Sequence, residues 1–134
     1  MKMTFILITF LILSTSACNT LQPIVNIEDH TITSENGKSL AENDIKKSIM
    51  RAGVRLGWRM KVIGDKKIKG ILSLRNHTAE IEITYSGTSY NMKYIDSSNL
   101  NYDGTYIHRN YNNWIHNLKR NIDKEFILIK QLGD

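Results

Sequence analysis

Between residues 56 and 94 the apolar side chains stop recurring at helical spacing and begin to alternate. Leu56, Trp58, Met60 and Val62 alternate with Gly57, Arg59 and Lys61, and Ile68, Gly70, Leu72 and Leu74 with Lys69, Ile71 and Ser73. His77, Ala79, Ile81, Ile83 and Tyr85 alternate with Thr78, Glu80, Glu82 and Thr84, and Tyr90, Met92 and Tyr94 with Asn91 and Lys93. A period of two sends successive side chains to opposite faces of a sheet, so these four runs predict four half-buried strands. The short links between them require antiparallel hairpins.

Facing then limits the register, because a slip of one residue would turn every apolar side chain outward. A two-residue turn at Arg75-Asn76 pairs Leu74 with His77 and Leu72 with Ala79, and sets Lys69 opposite Glu82. A two-residue turn at Ser86-Gly87 pairs Ile81 with Met92 and Glu80 with Lys93. A three-residue turn at Gly64-Asp65-Lys66 puts Trp58 opposite Leu72. Each choice keeps the apolar set on one face and brings opposite charges together on the other.

Helical spacing flanks this sheet on both sides. Ser39-Leu40-Ala41-Glu42 has the pattern of a capping box, and Ala41, Ile45, Ile49 and Ala52 follow on one helical stripe that Gly53 or Gly57 can end. A second helix is predicted over 105–124 or slightly beyond. Its stripe is Ile107, Tyr111, Trp114, Ile115, Leu118 and Ile122, with Arg109, His116 and Arg120 opposite. Its asparagines are poor helix formers, so packing on the sheet must stabilise it. The expected fold of residues 39–134 is α+β with two layers: helix, four-stranded antiparallel meander, helix, both helices on one face of the sheet.

The start of the chain carries a different kind of information. Lys2 is followed by an apolar run over 5–13, broken by Thr9 alone, and then by Thr15-Ser16-Ala17-Cys18. A charged start, an apolar run and a small-residue cleavage site have the layout of a secretory signal. The run falls far short of the ~20 residues that span a bilayer. Because it closes on the only cysteine, no intramolecular disulfide is available. The segment resembles the lipobox of bacterial lipoproteins, with Thr15 standing where leucine is usual. The resemblance implies a signal peptide over 1–17, a diacylglyceryl group on the Cys18 thiol, and a fatty acyl chain such as palmitate on the new amino terminus. Such an anchor is effectively permanent. In enteric bacteria an Asp after the cysteine retains lipoproteins in the inner membrane. Asn19 therefore points by analogy to the outer membrane, facing the periplasm. Residues 18–38 are polar, contain the only proline (Pro23), and read as a tether with a short extended piece over 30–33. A flexible tether of that length has an r.m.s. span of roughly 25 Å.

Candidate chemistry is sparse. His77 is in phase with the buried face and, in the register above, lies opposite Asp96; Ser97 and Ser98 follow, and His108 borders the second helical stripe. A His, an Asp and a Ser invite a hydrolase, and two histidines with a carboxylate invite zinc. There is, however, no nucleophile elbow and no His-x-x-x-His pair, so a structural His77–Asp96 hydrogen bond is favoured, with ligand contact next. Arg75 in the turn and Arg109 on the helix could hold an anion, but ordinary solvation is favoured. The sequence implies no metal and no cofactor. Tyr85, Tyr90, Tyr94, Tyr102, Tyr106, Tyr111 and Trp114 suit a ligand groove less well than a core with hydroxyls at its rim. The net charge is +5, and between 51 and 75 stand Arg51, Arg55, Arg59, Lys61, Lys66, Lys67, Lys69 and Arg75 against Asp65 alone. A basic stripe suits anionic lipid, lipopolysaccharide phosphates or cell-wall carboxylates, but also a solvated strand face, which is favoured. An exported protein has little occasion to meet nucleic acid.

Asp96-Ser97-Ser98-Asn99-Leu100 and Ile107-His108-Arg109-Asn110-Tyr111-Asn112-Asn113-Trp114-Ile115, with Arg75-x-His77 before them, resemble small uncharacterised lipoproteins of Gram-negative bacteria. The likeness covers roughly residues 57–122. It implies a small domain anchored in the envelope, and it brings no catalytic residues. The function expected is a non-enzymatic binding or assembly module for an envelope protein or polymer, the alternative being a hydrolase or metal-dependent enzyme using His77, Asp96 and His108.

Overall fold

A computed structural model describes residues 20–32 and 39–132. The signal segment, Cys18 and Asn19 lie outside the described residues, as do 33–38 of the expected tether. The elements are β1 (Leu21–Pro23), β2 (Ile27–Thr31), α1 (Glu42–Arg55), β3 (Arg59–Gly64), β4 (Lys67–Leu74), β5 (His77–Tyr85), β6 (Ser89–Ser98), β7 (Tyr106–His108) and α2 (Arg109–Leu132). The class is α+β. The main sheet has five antiparallel strands in the order β2-β6-β5-β4-β3 rather than four, and β1 and β7 form a second, two-stranded sheet.

The β3-to-β6 meander forms as its alternation requires. In β4–β5, Leu74 faces His77, Leu72 faces Ala79 and Lys69 faces Glu82. Arg75, at φ 56°, takes the left-handed conformation of that tight turn. In β3–β4 the turn is Asp65-Lys66, and a bulge between Val62 and Gly64 restores the register in which Arg59 faces Ile71. The β5–β6 turn lies one residue later than expected. Ser86 Oγ accepts the amides of Thr88 and Ser89, and Ser86 N donates to Ser89 O, which centres the turn on Gly87-Thr88. Met92 consequently faces Ile83 instead of Ile81, and Lys93 faces Glu82 instead of Glu80. A two-residue shift leaves each side chain on its expected face.

α1 buries Ile45, Ile49 and Ala52, and α2 buries Tyr111, Ile115, Leu118, Ile122 and Phe126, all in one cluster with Ile68, Leu72, Ala79, Ile81, Ile83, Tyr90 and Met92 of the sheet. Both helices thus bury their apolar stripes in one continuous core with the sheet. Truncating a leucine buried this completely, such as Leu118, costs about 2–5 kcal/mol. Gly70 is part of this packing: a Cβ there would lie 3.2 Å from Ile81 and 3.3 Å from both Met60 and Trp58. The indole of Trp58 thus lies against bare backbone.

Three expectations about element ends are corrected. Ser39 does not cap α1; its N-cap is Ala41, which makes no side-chain cap bond, and Gly57 (φ 87°) follows the helix end. α2 begins at Arg109 instead of 105, because residues 106–108 extend as β7 to pair with β1. Ile107 is therefore buried from a strand. Finally, residues 21–31 are not a free tether. Two strands occupy them, hidden from pattern reading because β1 has three residues and β2 carries a bulge with Asp29 at φ 47°.

Candidate functional site

The N-terminal segment is stitched to the domain mostly by backbone groups and asparagine side chains. Arg109 N donates to Thr20 O at 2.8 Å and Ile24 N to Thr105 O at 2.9 Å. Asn112 of α2 is buried at 4% exposure; its Oδ1 accepts Val25 N (3.0 Å), and its Nδ2 donates to Pro23 O (2.9 Å) and Gln22 Oε1 (3.4 Å). Asn26 Oδ1 accepts Tyr94 N, and Asn91 Oδ1 accepts Asp29 N. An amide both donates and accepts, so it can satisfy an irregular backbone that no regular ladder reaches.

At this same end of the sheet stand three of the residues singled out from sequence. Arg75 is exposed at the tip of the β4–β5 hairpin. His77 is half-buried, and its Nδ1 donates to Asn99 O at 2.8 Å. His108 precedes α2 and caps it, its Nδ1 accepting the amide of Asn110 at 3.2 Å. The two imidazoles stack with centroids 6.4 Å apart and planes 23° apart. Asp96 does not join them. Ile95 is extruded as a bulge between the Ile81–Tyr94 and Glu80–Asp96 pairs, which turns Asp96 to the opposite face of β6. Its carboxylate is exposed and accepts Ser97 N at 2.8 Å. The bulge has a simple physical reason: without it an ionised side chain would enter the covered face. Among the described residues, no group of three or more His, Cys, Asp or Glu is arranged to hold a metal.

A denser polar constellation lies where α2 passes the other end of the sheet. Asp123 Oδ1 accepts from the Tyr90 hydroxyl at 2.9 Å and lies 3.1 Å from His30 Nε2, while Oδ2 accepts from Lys119 at 2.9 Å. Tyr90 is fully buried, and its ring meets His30 edge-on at 5.1 Å and Phe126 at 5.9 Å. Burial first, and the adjacent Asp123 carboxylate second, push the Tyr90 phenol far above its ordinary value, so it stays a donor at every physiological pH. Sequence reasoning missed this network because its members are 33 and 93 residues apart and His30 lay in the expected tether. The set clamps β2 to α2.

Five of the eight residues of the basic stripe pair with carboxylates, whereas Arg59, Lys61 and Arg75 make no ion pair among the described residues. Arg51 Nε donates to the buried Glu125 (2.9 Å), and Arg55 lies 2.9 Å from its other oxygen as an ion pair without hydrogen-bond geometry. Lys66, Lys67 and Lys69 pair with Glu42, Glu82 and Glu80. Of the aromatic set, Tyr85, Tyr90 and Tyr111 are core, whereas Tyr102 and Tyr106 are exposed. On the outer face of the sheet, the irregular β2 borders a groove of ≈ 510 Å³ lined by Glu28, Asp29, Glu82, Asn91 and Lys93 among others. No family model, curated protein or solved structure matches the chain.

Proposed function

We propose that the protein is a lipid-anchored lipoprotein of the bacterial envelope whose domain binds a partner protein or envelope polymer rather than catalysing a reaction. The sequence pattern carries the proposal: a charged start, an apolar run and Thr15-Ser16-Ala17-Cys18 lie just ahead of Thr20, whose carbonyl accepts Arg109 N, the earliest backbone bond among the described residues. Cleavage before Cys18 would remove none of the described residues, and would leave a lipidated cysteine two residues before Thr20 in sequence. The likeness of 96–100 and 107–115 to small Gram-negative lipoproteins supports the same assignment, and Asn19 favours the outer membrane facing the periplasm. No helix among the described residues is long and apolar enough to cross a membrane. The catalytic alternative needs Asp96 beside His77, and Glu80 is its cross-strand partner instead.

Metabolic labelling with a tagged palmitate tests the anchor. The intact chain should take up the label and partition into detergent, and Cys18→Ala should do neither; a Cys18→Ala protein that stays membrane-bound overturns lipid anchoring. Crosslinking in intact cells tests binding. A defined adduct with one envelope component is expected, and the absence of any adduct from several surface positions counts against a binding module.

A further inference from the structure

The membrane should meet one particular end of this domain. Thr20 O is bonded to Arg109 N, and Leu21 is paired with His108. Consecutive Cα atoms are about 3.8 Å apart, so Cys18 lies within about 8 Å of Thr20 whatever path the chain takes. The anchor therefore emerges beside β7 and the start of α2, at the same end as the β4–β5 hairpin tip, since His77 and His108 stack there. Arg75 and Arg109 are both exposed, and neither is ion-paired among the described residues. Glu80, the carboxylate nearest Arg75 in sequence, pairs with Lys69. Asp96 accepts Ser97 N, and the amides of Tyr106 and Thr105 hold the Asp103 carboxyl below its ordinary value, which keeps it ionised and offsets part of the positive charge near Arg109. Leu74, 45% exposed beside Arg75, adds an apolar side chain suited to the head-group boundary.

We propose that this end, carrying Leu74, Arg75, His77, His108 and Arg109, rests on the anionic phosphates of the phospholipid bilayer that holds Cys18. The proposal depends on the lipid-anchor assignment above. It supplies an orientation that the anchor alone does not: the β3–β4 and β5–β6 turns, at the opposite end of the sheet, are presented away from the membrane to partners. Each arginine contributes through attraction to an anionic surface, screened beyond a Debye length.

The test uses the full mature protein with its lipid, in vesicles of phosphatidylethanolamine with phosphatidylglycerol. An acylated Cys18 has no free thiol, so an introduced cysteine takes a thiol-reactive dye cleanly. Asn113→Cys marks the proposed contact, one helical turn past Arg109, and Asp65→Cys marks the far end; both positions are exposed. With nitroxide-bearing lipids, the dye at 113 should be strongly quenched and the dye at 65 barely. Arg75→Gln and Arg109→Gln should each shift the docked-to-lifted ratio by about fivefold, and raised salt should act in the same direction. Circular dichroism of each variant checks that it remains folded. Equal quenching at 65 and 113, with the acyl mass on Cys18 verified, overturns the orientation and leaves the anchor standing. An unmodified Cys18 mass overturns both.

Discussion

α2 holds the same N-terminal segment at two places by different chemistry. Near its start, Asn112 is a neutral, buried amide that binds two backbone groups and the Gln22 side chain. Near its far end, Asp123 is a charged, partly exposed group that binds side chains. A neutral amide inside the fold is insensitive to salt, and its loss leaves two part-buried backbone groups without their partner. A carboxylate at the rim exchanges part of its stabilisation with solvent and is partly screened. The fastening closest to the proposed anchor is thus the one that ionic conditions do not loosen, as an orientation imposed by the first strand requires.

Asn112→Ala tests that contrast most severely. It removes the acceptor for Val25 N and the donor to Pro23 O, and leaves a small void. The expected cost is about 3 kcal/mol, unchanged by salt, measured as the urea midpoint at low and high ionic strength. Amide exchange at Val25 should accelerate ahead of the core strands, because the segment opens locally. A loss below about 1 kcal/mol would mean that the β1–β7 ladder holds the segment without the amide.

Asp123→Ala comes next, at about 2 kcal/mol, most of it from leaving the buried Tyr90 hydroxyl without an acceptor. Tyr90→Phe combined with Asp123→Ala should cost less than the two single changes added together, the signature of a direct contact in a double-mutant cycle. Asp123→Asn keeps an acceptor for the phenol and should lose about half as much. The Lys119 and His30 contributions should shrink as salt is raised. If the Asp123→Ala penalty proves as salt-independent as that of Asn112→Ala, the two fastenings do not differ in the way described.

How these features were encoded explains what the sequence disclosed. The meander was legible because alternation is local: β4–β5 needs only two runs and a two-residue turn, and every expected partner in it is observed. α1 and the stripe Tyr111, Ile115, Leu118 and Ile122 were legible for the same reason. β1, β7 and the start of β2 were not, since their partners are remote in sequence and their own patterns are too short or irregular to show a period; the extended piece expected over 30–33 overlaps only the end of β2. Asn112 read as a weak helix residue, although its polarity is what lets the helix hold a strand. At the candidate site, His77 and His108 stack near the hairpin tip that carries Arg75, while Asp96 is turned away by a bulge that no pattern of apolar residues announces. A carboxylate in phase with a buried face was the available hint. Either a partner or a change of register had to resolve it, and the chain uses the register.

Asp96→Ala therefore has the smallest expected effect, within about 0.5 kcal/mol of the parent, as for other exposed positions. The contact that Asp96 makes is with the amide of the next residue, and water can replace it. His77→Ala, by contrast, gives up a hydrogen bond to Asn99 O and a stacked imidazole, and should cost about 1 kcal/mol. Coupling between the two substitutions should be near zero. Coupling above about 0.5 kcal/mol would restore the His77–Asp96 pair and require that the Ile95 bulge be absent in solution. That outcome would also revive the catalytic alternative, because Asp96 would then stand beside both histidines. Zero coupling leaves the two stacked imidazoles flanked in sequence by Arg75 and Arg109, with Asp96 on the opposite face of its strand.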